Sequence, residues 1–155
     1  LPVPVIGRIH GYCLGAGLEL VAACDFRVAS DNAKFGMPEV RVGLPSVIEA
    51  VLLPHVMGWG KAAEILLTGD MIDAEDARLC GLVQKVTTKD RLDEQVDAWL
   101  GSILASGPKA VRQQKKLIRS WENMPIDAAI RAAIDAFEEA NQGPEPREYL
   151  SKALR

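Results

Sequence analysis

The sequence predicts an α/β fold, with strands and helices mixed over residues 1–88 and helices alone over 89–155. Three observations carry that prediction. Up to Val86, short β-branched runs alternate with glycine turns and apolar helix patterns. From Lys89 onward every apolar pattern has helical spacing. The chain has 155 residues, 48% hydrophobic and 25% charged, which is the composition of a globular domain with a core of its own.

The elements follow in order. Val3-Pro4-Val5-Ile6-Gly7-Arg8-Ile9-His10 is β-branched and apolar, a strand, and Gly11, Gly15 and Gly17 then crowd into a turn. Leu18 to Cys24 is a short apolar helix pattern closed by Asp25, and Phe26-Arg27-Val28-Ala29 is the next strand. Residues 34–45 hold two prolines and two glycines and are expected as loop with short extended pieces. Ser46-x-x-Glu49 has capping-box spacing, so a helix is expected from Ser46 to about Met57, kinked by Pro54. Helices over Lys61–Leu67 and Ala74–Cys80 come next, the first stopping at Thr68-Gly69, the second capped by Asp73 and closed by Gly81. Leu82 to Val86 is a last strand. Beyond it, Leu92, Val96, Leu100, Ile103 and Leu104 share one helix face, and Pro108 starts a basic helix to about Trp121. Pro125 precedes a long Ala-rich helix with Ile126, Ile130, Ile134 and Phe137 on one stripe. Gly143-Pro144-Glu145-Pro146 then breaks the chain before a final short helix.

Composition narrows the function. Eighteen basic against 21 acidic residues leave a net charge of −3, so there is no global basic field for nucleic acid. Three cysteines (Cys13, Cys24, Cys80), none in a CxxC pair, argue against a disulfide framework or zinc site and for a reducing, cytoplasmic setting. No apolar run approaches the roughly 20 residues a membrane span needs. The start, Leu1-Pro2-Val3-Pro4, has no signal-peptide pattern and reads like a chain entered in mid-fold.

The candidate chemistry centres on three places. Gly15-Ala16-Gly17 lies between a strand and an apolar helix, where backbone can approach a ligand and helix-start N–H groups can meet a phosphate or developing oxyanion; a ligand-free tight turn is the plain alternative. A G-x-G-x-x-G dinucleotide fingerprint is not completed, since position 20 is Leu. Glu19 opens a run of Leu18, Leu20, Val21, Ala22 and Ala23. Acids favour helix starts through the dipole, but a carboxylate buried without a cation is suited to acid/base work. Glu39, in Gly36-Met37-Pro38-Glu39-Val40, is an ordinary loop carboxylate by itself and a second acid/base member if it meets Glu19. Glu49 reads first as the partner of Ser46 in a helix cap. His10 and His55 lack metal-ligand spacing, and no metal site is expected. Lys109, Arg112, Lys115, Lys116 and Arg119 read as a solvated basic helix face, with a phosphate-bearing ligand or an acidic subunit as the alternative.

His10-Gly11-Tyr12-Cys13-Leu14-Gly15-Ala16-Gly17-Leu18-Glu19-Leu20, with Cys24-Asp25 after it, resembles the signature of the enoyl-CoA hydratase/isomerase (crotonase) superfamily. Lys34-Phe35-Gly36-Met37-Pro38-Glu39 resembles the second motif of that family. Leu67-Thr68-Gly69-Asp70 and Ala74-x-x-Ala77-x-x-x-Gly81-Leu82-Val83 resemble a third. The resemblance implies a crotonase-like β-β-α spiral, of which residues 1–88 would be the C-terminal part and 89–155 a helical oligomerisation region forming homotrimers or hexamers. It implies an acyl-CoA thioester substrate and no separate cofactor, coenzyme A being part of the substrate. Ala16 would supply one backbone N–H to the thioester oxygen, and Glu19 and Glu39 would hold and activate water, with Glu39 giving the α-carbon its proton. Gly15, Gly17, Pro38, Leu44 and Glu49 would line the substrate site. The front of the core, with the other oxyanion donor, is not in this sequence by that comparison. Where hydratases often carry a Gly-rich stretch, this chain has Leu44-Pro45-Ser46-Val47-Ile48-Glu49, whose bulk and extra carboxylate would reshape the acyl pocket. The implied activity is hydration of a 2-enoyl-CoA to a 3-hydroxyacyl-CoA. Isomerisation, decarboxylation or thioester hydrolysis on the same fold, or a non-catalytic oligomeric member, are the alternatives.

Overall fold

The glycines and β-branched runs near the start set the chain path in the computed structural model, which describes residues 1–154. β1 (Ile6–Ile9) turns at Gly11, whose φ of 63° suits glycine, into β2 (Tyr12–Leu14), and α1 (Ala16–Ala22) follows. The chain repeats the move with β3 (Phe26–Ser30) and β4 (Lys34–Gly36). β1 lies parallel to β3, with Ile6 beside Phe26, and β2 lies parallel to β4, with Tyr12 beside Lys34. Each β-β passage therefore adds one strand to each of two sheets. β5 (Met71–Asp73) completes one sheet antiparallel to β4, and β6 (Lys85–Thr87) completes the other parallel to β3.

β3, the middle strand of its sheet, is buried on both faces, whereas β2 and β5 bury only their central residues. Residues 27–30 of β3 are all buried, and the core gathers Leu18, Phe35, Met37, Leu53, Ile65 and Leu82, none with measurable exposure. Fully burying such a side chain contributes about 1.5–3 kcal/mol. Arg27 is the basic member of this interior: its guanidinium donates to the carbonyls of Leu82 (2.6 Å) and Cys24 (2.5 Å). Cys13 is buried in β2, and burial, with Cys24 nearby, pushes its thiol up to about 11.

The helices that carry caps form where the sequence marks them. α3 (Trp59–Thr68) ends at Gly69, φ 67°, and α4 (Ala74–Leu79) starts at Asp73, whose carboxylate accepts the Asp76 N–H at 2.9 Å. The helix expected from Ser46 to Met57 is different. Residues 44–49 are irregular, a 3-10 turn spans Ala50–Leu52, and α2 is only Leu53–Met57, with Pro54 in its first turn. No capping box forms, because the Ser46 hydroxyl and the Glu49 amide bond elsewhere. Pro54 starts the helix rather than kinking it, since a first-turn residue needs no N–H acceptor. A second 3-10 turn, Pro38–Val42, occupies part of the expected loop and ends at Gly43.

Past β6, a 3-10 turn (Lys89–Arg91) leads into α5 (Leu92–Leu104), α6 (Pro108–Trp121), α7 (Ile126–Asn141) and α8 (Glu145–Ala153). The chain divides into two compact units within α5, between Asp97 and Ala98; residues 5–97 form one, and residues 1–4 with the chain from Ala98 form the other. In the helical unit α6 packs on α7 and α7 on α8. The Gln113 amide donates to the Ala136 carbonyl at 2.8 Å. The Glu145 carboxylate accepts the backbone N–H groups of Lys109 (3.1 Å) and Ala110 (2.8 Å), capping α6 from another helix. A cavity of about 1200 Å³ lies within this unit, lined on one side by the basic residues of α6. The stripe of α7, Ile126, Ile130, Ile134 and Phe137, is exposed. Among the described residues no helix is long and apolar enough to cross a membrane.

Candidate active site

Gly15 organises the site because its backbone does what other residues rarely do. Its φ of 53° and ψ of −129° turn the end of β2 into the start of α1, and its N–H donates to the Gly36 carbonyl at 2.9 Å. That bond ties the start of α1 to the end of β4, one residue pair before Pro38-Glu39. A Cβ on Gly15 would lie 2.2 Å from Glu39 Oε1, so the carboxylate of Glu39 rests directly over the Gly15 backbone. Glycine here is a packing requirement of Glu39. Ala16 and Gly17, the first two residues of α1, are exposed, and their N–H groups precede the first intrahelical bonds.

Glu19 is 3% exposed, the charged residue among the buried apolar positions of α1. Its Oε2 accepts the Glu49 backbone N–H at 3.1 Å. Glu39 Oε2 accepts the Ser46 hydroxyl at 3.0 Å, and both partners are half-buried. The two donors sit three residues apart, so no more than about 11 Å of chain separates them even if fully extended. One short segment thus holds both carboxylates, and one of them lies against the helix start. A carboxylate pair beside free backbone donors can polarise a carbonyl while moving protons to and from a bound water.

The other sequence candidates fall around this centre. Pro38 opens the 3-10 turn and sets the approach of Glu39. Leu44 is exposed, with its N–H on the Glu39 carbonyl at 3.1 Å. Glu49 brings its amide, while its side chain is exposed. Gly17 is open, since a Cβ there would meet nothing within 4 Å. The 3-10 turn carrying Glu39 is anchored behind by Arg41, which pairs with Asp70. His10 and His55 stay at the surface, and the described residues contain no cluster of metal-ligating side chains. Ser46 is the residue that sequence reasoning misassigned: its spacing to Glu49 reads as a local cap, whereas its partner lies seven residues upstream on another element.

Residues 1–151 match the family model described as Enoyl-CoA hydratase/isomerase. The chain is 42% identical over 135 residues to crotonyl-CoA hydratase of Syntrophomonas wolfei, covering 86% of this chain and 52% of that protein. It is 35% identical over 140 residues to short-chain-enoyl-CoA hydratase of Clostridium acetobutylicum, covering 90% and 54%. The solved structure of an enoyl-CoA hydratase from Mycobacterium smegmatis superposes with a TM-score of 0.95 at 34% identity, over 99% of this chain and 60% of that one. The chain spans about half the length of the curated relatives it matches. With its paired sheets, its glycine-supported Glu39 and these likenesses, the chain has the expected crotonase-like α/β fold and belongs to the enoyl-CoA hydratase/isomerase superfamily.

Proposed function

We propose that the protein is an enoyl-CoA hydratase, adding water across the 2,3 double bond of a 2-enoyl-CoA to give a 3-hydroxyacyl-CoA. The observation that carries the reading is the convergence of Glu19 and Glu39 on residues 46–49, beside the start of α1. The hydratase names of the relatives support it. In this mechanism the Ala16 N–H donates to the thioester oxygen, which makes C3 electrophilic and stabilises the enolate that forms. Losing one such donor typically costs about 3–4 kcal/mol. Glu19 and Glu39 hold the water between them. Its oxygen bonds to C3, one proton passes to the carboxylate pair, and Glu39 delivers a proton to C2, so the elements of water are conserved. Polarisation and proton transfer complete the reaction without a redox or metal cofactor. Gly15, Gly17, Pro38 and Leu44 line the approach.

The exposed apolar stripe of α7 supports assembly into a homotrimer or hexamer through the helical region. Three cysteines, an odd number with none in a CxxC pair, support a cytoplasmic setting.

The test is the loss of conjugated enoyl-thioester absorbance when the intact native protein meets crotonyl-CoA. Turnover is expected in the parent, and Glu39→Gln is expected to lower it by about a hundred-fold or more with CoA affinity kept. An inert parent that still binds crotonyl-CoA would move the reading to another enolate chemistry on the same site.

A further inference from the structure

We propose that Ser46 is a positioning residue for Glu39, one end of a brace that holds the two carboxylates in register. The inference rests on the hydratase reading above. Glu39 sits on a 3-10 turn and Glu19 on α1; the Gly15–Gly36 backbone bond ties the two elements, but it leaves the register of the two carboxylate ends still to be set. The segment 46–49 supplies it, with the Ser46 hydroxyl on Glu39 Oε2 at 3.0 Å and the Glu49 amide on Glu19 Oε2 at 3.1 Å.

The terminal torsion of a glutamate is broad and roughly two-fold, so geometry alone does not fix which oxygen faces the ligand. Here the two oxygens of Glu39 are made different. Oε2 is held by Ser46, and Oε1 lies over Gly15, at the start of α1. A hydroxyl is suited to this place because its O–H rotates and it can both donate and accept. It therefore follows Glu39 whether the carboxyl carries the proton or not. The irregular path of residues 44–49 makes this possible. In a helix started at Ser46, the hydroxyl would bond to its own backbone instead. Ser46 touches no reacting atom in this account and acts only through Glu39.

The experiment compares the intact native protein with Ser46→Ala and Ser46→Thr on crotonyl-CoA, reading kcat and KM separately and Tm beside them. The expected result is a fall in kcat of about ten-fold or more in Ser46→Ala, with KM within about two-fold of the parent. Ser46→Thr, which keeps the hydroxyl, is expected to recover most of kcat. Ser46→Cys keeps the volume with a weaker donor and gives the same split should the alanine variant fail to fold. An active parent with unchanged kcat in Ser46→Ala overturns the brace alone, as does an equal loss in the alanine and threonine variants at parental Tm. A parent inert to crotonyl-CoA overturns the hydratase reading and the brace with it.

Discussion

At the scale of single residues, the site depends on one position that tolerates no side chain. Gly15 combines a backbone conformation that other residues rarely hold with the Glu39 carboxylate resting where a Cβ would go. Gly15→Ala is therefore expected to cost about 1–3 kcal/mol of stability through the backbone. It should also displace Glu39, lowering turnover by about the same factor as Glu39→Gln. Gly17→Ala provides the contrast: with open space at its Cβ, Tm should hold or rise slightly. Melting curves and turnover on the two variants check both statements, and an active, parental Gly15→Ala would contradict the packing described here. Gly15, Ala16, Glu19 and Glu39 were legible in the sequence because each lies in a contiguous motif. Ser46 and Arg27 were not, since the partners that define them lie in other parts of the chain. A serine three residues before a glutamate looks like a cap until its hydroxyl is seen elsewhere.

At the scale of elements, local signals succeeded where the cap is local. Asp73 with α4 and Gly69 after α3 are such cases. The three-residue strands β2, β4 and β5 are too short for alternation to register, and pairing with neighbours is what defines them. The start of α6 shows the same limit, because its cap comes from Glu145 on α8. Gly107 leaves the room for it, as a Cβ there would lie 2.5 Å from Glu145 Oε1. Burial works against the Glu145 anion, but the N–H groups of Ala110 and Lys109, with the charges of Lys109 and Arg112, together outweigh it and hold this carboxyl below its usual range. A lowered folded-state value means that the anion stabilises the fold above the ordinary carboxylate value of 4.5 and that this is lost as pH falls below it. Glu145→Ala should accordingly melt below the parent at pH 7, and the gap should close in acid. Paired thermal melts across pH 3–7, at about unit steps, check the sign. A gap that widens in acid would contradict it.

At the scale of the whole molecule, the two units differ in how they bury their apolar residues. Residues 5–97 enclose a buried core between and around two sheets, although Val47, Ile48, Trp59 and Leu67 remain exposed, and the broad outline of that arrangement was legible in the alternation of strands and glycine turns. The helical unit leaves Ile126, Ile130, Ile134 and Phe137 of α7 in contact with water. Periodicity located the stripe correctly but says nothing of what lies over it, because a helix pattern is the same whether its cover is the same chain or another copy. If the chain assembles through this stripe as proposed, Ile130→Asp with Ile134→Asp should shift the sedimentation coefficient to that of a single chain. An unchanged assembly would remove α7 from the interface. If the stripe is covered by other copies, mass action links stability to concentration. Dilution then acts as a denaturant, setting the melting temperature in a dilute sample below that in a concentrated cell and shortening the working lifetime in a nanomolar assay.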